Sequence, residues 1–181
     1  MLFRSHCNAL NAERFQLLKE ARAEGRPLQL ERVIEAFVLP ALSVTQTQAG
    51  GVSFSRLRAV LAAENSKLLD QLVAENFDSS SAEFIDALCE CLPQLLRDEV
   101  LWRFHFMLGT IYYTASGPHR IKALSEGRCD PASVSENVKH LIPFLAAGFR
   151  APACPVGEPK THPPTAAPKK KNRAARARVA R

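Results

Sequence analysis

The stretch Asp98–Ser116, DEVLWRFHFMLGTIYYTAS, decides the fold. Val100, Leu101, Trp102, Phe104, Phe106, Met107, Leu108, Ile111, Tyr112 and Tyr113 fill most of it, and no proline interrupts. It is too long for an ordinary strand, and too polar at Arg103, His105 and Thr110 for a membrane span. It therefore reads as a helix. Asp98 is placed to cap its start, Glu99 sits where the helix dipole favours an acid, and Ser116-Gly117-Pro118 stops it. Leu101, Phe104, Leu108, Ile111 and Ala115 share one face; Trp102, Phe106, Gly109 and Tyr113 share another. A helix apolar on two faces must be covered on both. The domain's own core can take one. The other calls for more of the same chain or a second copy, which makes this helix the first candidate for an oligomer interface.

The rest of the chain keeps helical period on either side. Residues 2–24 repeat Phe3, Cys7, Leu10, Arg14, Leu17 and Ala21 at three- and four-residue steps, with Phe15 and Leu18 widening the stripe, and Gly25-Arg26-Pro27 ends them. Residues 30–44, LERVIEAFVLPALSV, present Leu30, Val33, Ile34, Phe37, Val38 and Ala41, and Pro40 should kink or end that helix. A third helix is predicted over 52–63 with Phe54, Leu57, Val60 and Leu61 inward. A fourth covers 66–91, carrying Leu69, Leu72, Val73, Phe77, Phe84, Ile85 and Leu88; Asp78-Ser79-Ser80-Ser81 should form a solvated polar face in its middle. A short turn at HRIKALS and a loop at 127–131 precede the last long helix, about 133–150. Val138, Leu141, Ile142, Leu145 and Phe149 form its stripe, and Ala146, Ala147 and Gly148 would admit a close neighbour. No segment has convincing strand period. The expectation is an all-α domain of about six helices, with no internal repeat.

A chain of 181 residues, 46% hydrophobic and 23% charged, is long enough for one domain with a sizeable core. The net charge of +6 misleads, because residues 169–181, KKKNRAARARVAR, hold seven of the 24 basic residues and no acid. The other 168 residues carry 17 basic and 18 acidic side chains. The folded part is near neutral and the basicity belongs to a tail. Six prolines in the eighteen residues from Ala151 to Pro168 forbid a core there, so 152–181 read as a disordered spacer and basic tail. No apolar run spans a membrane, and Met1-Leu2-Phe3-Arg4 is followed by polar residues, unlike a signal peptide. A cytoplasmic location is expected. Cys7, Cys89, Cys91, Cys129 and Cys154 have no zinc spacing and read as buried or incidental thiols.

No enzyme is expected. Glu75, Asp78 and Glu83 look like exposed helix acids rather than a paired-carboxylate site. Ser79, Ser80 and Ser81 have no base nearby in sequence, and no Gly-rich phosphate loop follows a strand. Neither a metal nor another cofactor is implied.

Several segments together resemble the C-terminal regulatory domain of TetR-family (tetracycline-repressor-like) transcription regulators: Leu10-Asn11-Ala12-Glu13-Arg14, ERVIEAFVLPAL, LWRFHFMLG at 101–109, RCDP at 128–131, and LIPFLAAGFRAP at 141–152. The likeness covers about 2–152 and is nearest to the PsrA-type C-terminal branch. It implies a regulatory domain over residues 1–151 and a homodimer, in which the last two long helices of each copy form a four-helix interface. Trp102, Phe106, Tyr113, Leu141, Leu145 and Phe149 are the expected interface residues. It also implies a small-molecule pocket, for which Phe37, Phe77, Phe84, His105 and Tyr112 are the candidates. Few charges fall on the inward faces of 30–44 and 66–91, so the effector should be apolar or acyl-type. Such regulators read operator DNA with an N-terminal helix-turn-helix that this sequence lacks, and residues 2–24 look like the helix that follows it. The expectation is an N-terminally truncated fragment. Leu2-Phe3-Arg4-Ser5 is also what the sequencing-adapter stretch CTCTTCCGATCT encodes in one frame, which would make residues 1–5 non-native. Lys169, Lys170, Lys171, Arg173, Arg176, Arg178 and Arg181 can contact phosphates without sequence preference. The competing reading is a stand-alone helical protein-interaction module with a non-specific nucleic-acid-binding tail.

Overall fold

Long apolar stripes at helical spacing produce long helices. The computed structural model describes residues 2–47, 53, 54, 57, 60, 67–115 and 120–153. Among them lie six helices and no strand: α1 (Leu2–Ala23), α2 (Leu30–Thr47), α3 (Lys67–Cys91), α4 (Arg97–Ala115), α5 (Arg120–Leu124) and α6 (Val134–Arg150). Residues 53, 54, 57 and 60 are also helical. The expectations for Leu61, for the side chain of Leu69, for the Ser116-Gly117-Pro118 stop, for Cys154, and for the spacer and tail beyond Ala153 fall outside the described residues.

The molecule is built around α2. Every side chain from Leu30 to Val44 is buried or half-buried. α1, α3, α4 and α6 all pack against this helix. The sequence had pointed to 98–116 as the centre; the structure puts that helix on one side of α2 instead. Pro40 neither ends nor breaks α2, which runs on to Thr47. A proline takes one N–H from the helical ladder, here the donor for the Ala36 carbonyl. Three residues before the proline, the Phe37 carbonyl accepts from Arg14 Nε on α1, at 3.0 Å.

α1 buries Cys7, Leu10, Arg14, Leu18 and Ala21, while Phe15, expected to widen the stripe, is exposed. Phe54 is buried, its ring 5.5 Å from Phe3 and 5.1 Å from His6. Leu57 and Val60, expected inward with it, face solvent. α3 is continuous through Asp78–Ser81. Asp78 and Ser79 are exposed as expected, but Ser80 is buried and gives its hydroxyl proton to the Phe77 carbonyl at 3.0 Å. Where α1 crosses α3, Asn11 Nδ2 donates to the Asn76 carbonyl at 2.6 Å.

Asp98 lies in the first turn of α4 rather than at its cap; Glu99 and Val100 N–H groups donate to the Leu96 carbonyl, which fixes the start one step earlier. α5 closes with Gly127 at φ 83, whose N–H reaches the Lys122 carbonyl at 2.8 Å; only glycine takes that backbone without strain. α6 begins at Ser133, whose hydroxyl accepts from the Glu136 N–H at 3.2 Å, a sound N-cap. Arg150 at its last turn pairs with Glu31 on α2, with Nη2 to Oε2 at 2.8 Å. No described helix is long and apolar enough to cross a membrane.

Candidate functional site

α4 divides into two faces with opposite environments. Val100, Arg103, Phe104, Met107 and Ile111 are buried. Trp102, Phe106 and Tyr113 are 61%, 62% and 63% exposed, and His105 and Gly109 are exposed beside them. Trp102 stacks on Phe106 with centroids 6.0 Å apart, and His105 meets both rings edge-on at 6.1 and 5.8 Å. On α6, Phe144 is 68% exposed, and Ala147 and Gly148 are exposed too. A half-open groove of about 350 Å³ lies between the two helices, lined by Phe106, Met107, Thr110, Phe144, Gly148 and Phe149, with Arg103 at its edge. The aromatic side chains of α4 and Phe144 of α6 thus form an exposed apolar patch that borders the groove.

The six expected interface residues split. Trp102, Phe106 and Tyr113 lie on this face. Leu141, Leu145 and Phe149 are buried in the protomer, since the strongest stripe of α6 packs on α2, and of these Leu145 and Phe149 also reach the wall of the groove. The α6 residues on the exposed face are Phe144, Ala147 and Gly148. Phe144 was missed because one step round a helix from a strong stripe reads as an ordinary exposed residue.

Arg103 is the polar clamp of this region. It is buried, its Nη1 donates to the Phe149 carbonyl at 2.6 Å and its Nη2 to the Pro152 carbonyl at 3.2 Å. Glu99 Oε1 accepts from Nε and Nη2 at 3.1 and 2.8 Å. The guanidinium satisfies carbonyls left over at the end of α6, where the helix dipole also favours a cation. In sequence, only an arginine inside an apolar run and a glutamate four residues before it hint at this.

The expected pocket residues also part company. Phe37, Phe77 and Phe84 are buried. Phe37 meets Phe84 edge-on at 4.9 Å and Phe104 at 5.1 Å, and Arg14 lies over the Phe37 ring with Cζ 3.6 Å from its centroid. His105 belongs to the exposed aromatic face and not to this centre; an imidazole within the apolar run sits there because α4 is uncovered on that side. Tyr112 is half-buried, next in sequence to the core residue Ile111. Arg14 and Phe104, which complete the centre, were missed as site residues.

A second cavity, about 310 Å³, is lined by Ile121, Cys129, Asp130, Pro131, Glu136 and His140 among others. Asn137 closes one side, donating to the Pro131 and Ser133 carbonyls, both at 2.9 Å. No described group of three His, Cys, Asp or Glu residues could hold a metal ion. Cys7, Cys89, Cys91 and Cys129 are thiols outside any disulfide among the described residues. Burial, with Glu90 and Glu31 nearby, pushes the Cys91 thiol up to about 11, and its Sγ donates to the Leu28 carbonyl at 3.3 Å. A thiol so protonated is a poor nucleophile at neutral pH.

The family described as "Tetracyclin repressor-like, C-terminal domain" matches residues 35–148, more than half of the chain. No curated protein matches the sequence.

Proposed function

Because the chain belongs to the tetracyclin repressor-like C-terminal domain family, we propose that residues 1–151 are the effector-binding and dimerisation part of a TetR-type transcriptional regulator, a repressor of the PsrA-type C-terminal branch acting in the cytoplasm. The observation that carries this reading is the uncovered aromatic face of α4 and α6. In this proposal a second copy covers it, through Trp102, Phe106 and Tyr113 of α4 and Phe144 of α6, with the groove receiving a side chain of the partner. An obligate interface of this kind buries on the order of 2,000 Å² or more in total. Sequence-specific operator contact is assigned to a separate helix-turn-helix unit, since the described helices pack into one bundle and the near-neutral charge of residues 1–168 suits no duplex.

The effector in this reading is apolar or acyl-type and enters the bundle beside Phe37, Phe77 and Phe84, whose surroundings are dominated by hydrocarbon. Sedimentation at tens of micromolar tests the dimer: a single protomer-sized species overturns it. A thermal-shift screen tests the effector, with stabilisation by hydrophobic compounds expected and hits confined to sugars or nucleotides counting against it.

The exposed groove also suits a second reading, a stand-alone helical module that docks another protein. A homodimer that occupies the α4–α6 face leaves that module no surface, so the same sedimentation experiment separates the two. In either reading the basic residues from Lys169 to Arg181 contribute non-specific phosphate contacts. Seven charges give a log–log salt slope of at most roughly −6 on duplex DNA, and deleting 169–181 should abolish that binding and leave self-association unchanged.

A further inference from the structure

Arg14 is the largest of the fully buried side chains, at 1% exposure. It leaves α1 and ends on α2. Its Nε donates to the Phe37 carbonyl at 3.0 Å, and its guanidinium lies 3.6 Å over the Phe37 ring. That ring is met edge-on by Phe84 of α3 and Phe104 of α4. One aromatic ring thus gathers side chains from all of the four helices α1 to α4.

Stability alone does not call for an arginine at position 14. Replacing buried ionic groups with well-packed apolar ones is often neutral or stabilising. What a guanidinium adds, and Leu or Met would not, is direction: a rigid planar fork fixed at once to one carbonyl and one ring face. The carbonyl it holds lies in the turn that precedes Pro40, so the contact seats α1 on α2 at that turn. Turning the Phe37 ring breaks the contact over its face while the carbonyl keeps hold of Nε, so the guanidinium must re-aim about that one anchor.

We propose that Arg14 and Phe37 form a joint that makes the docking of α1 depend on the packing of the aromatic centre, so that a disturbance at Phe84 on α3 or Phe104 on α4 is passed to α1. Arg14 is a positioning residue in this role. The use of the joint rests on the effector reading above: a molecule entering beside Phe37 is what would turn the ring. The joint itself does not need an effector to be measured.

The test is a double-mutant cycle read by amide hydrogen exchange in α1, with α6 as the internal reference. α4 carries Phe104, whereas α1 packs mainly on α2 and α3. Phe104→Leu should speed exchange across α1 by about tenfold when Arg14 is present and less than about twofold in an Arg14→Met background, each compared with its own Phe104 parent. Exchange in α6 should respond to Phe104→Leu equally in both backgrounds. Should Arg14→Met fail to fold, Arg14→Lys keeps the charge without the planar fork and should uncouple α1 in the same way. Equal acceleration of α1 with and without Arg14, or full coupling retained by the lysine, would overturn the joint. Neither result bears on whether an apolar effector binds, which the thermal-shift screen decides separately.

Discussion

α2 and α4 are both apolar on more than one side, yet they end in opposite surroundings. α2 shows no exposed residue from Leu30 to Val44, with α1, α3, α4 and α6 set around it. α4 has neighbours on one side only, and its other side presents Trp102, His105, Phe106 and Tyr113 to solvent. The difference teaches that apolar content ranks a helix by how much cover it needs, not by whether its own chain supplies it. For α2 the need is met inside the protomer. For α4 it is not, and each aromatic side chain left out forgoes about 1.5–3 kcal/mol that full burial would give.

The contrast breaks first at Phe37. Phe37→Ala empties the crossing of α2 with α3 and α4 and should cost about 3–5 kcal/mol in urea denaturation, whereas Trp102→Ala in dilute protomer should stay within about 0.5 kcal/mol. Equal losses would mean the two helices are not different in kind. The second test sits on the uncovered side. Phe144→Asp should weaken self-association by about 2–4 kcal/mol, the range of a central interface residue, while leaving the protomer's urea midpoint unchanged. Sedimentation across a concentration series reads the first quantity, and an unchanged dimer would move the interface elsewhere. Third comes the inner side of α4. Arg103→Met leaves the Phe149 carbonyl without its donor and Glu99 without its cation, and should cost about 1–3 kcal/mol of protomer stability.

The smallest effect belongs to the rim of α2. The hydrogen bond from Arg150 holds the Glu31 carboxyl below its usual value, against a smaller opposing effect of burial. Since the folded pKa lies below the unfolded one, the pair stabilises above the ordinary carboxylate range and loses that contribution as pH falls through the depressed folded value. Both side chains are about half exposed, so solvent screening keeps the whole contribution under about 1 kcal/mol. Arg150→Ala should remove a stability step of that size at pH 7 and make no difference once the pH has fallen below the depressed folded value. An Arg150→Ala penalty that persists in acid would show that packing, not charge, ties α6 to α2.

Much of this was readable in the residues. Helical period placed α1, α2, α3, α4 and α6 within a few residues, because each carries a stripe that only one period fits. The rank of α2 was hidden by Glu31, Arg32, Glu35 and Pro40, which make it look one-sided. In the structure Arg32 pairs with Glu24 and Glu35, and Glu31 with Arg150, so the charges sit at the edge while their stems cover apolar surface. The uncovered face was half legible: Trp102, Phe106 and Tyr113 stand out in a polar-poor run, but Phe144 and Phe149 differ only by their angle about α6. Arg14 was beyond reach, and of Arg103 only the i,i+4 pairing with Glu99 lies in the spacing, because their other partners are carbonyls and a ring set by tertiary packing.

Gly109 and Gly148 lie on the exposed sides of α4 and α6, and a methyl group added at either would meet nothing within 4 Å. Inside a helix each glycine forgoes about 1 kcal/mol relative to alanine. The protomer taken alone therefore has every reason to discard them. A laboratory selection for heat resistance in dilute protein would fill these positions first, and bulkier residues at Gly148 would rise with it. If a second copy needs that emptiness to approach, such a selection would breed a sturdier chain that has lost its company, and the glycines would survive only where assembly itself is under selection.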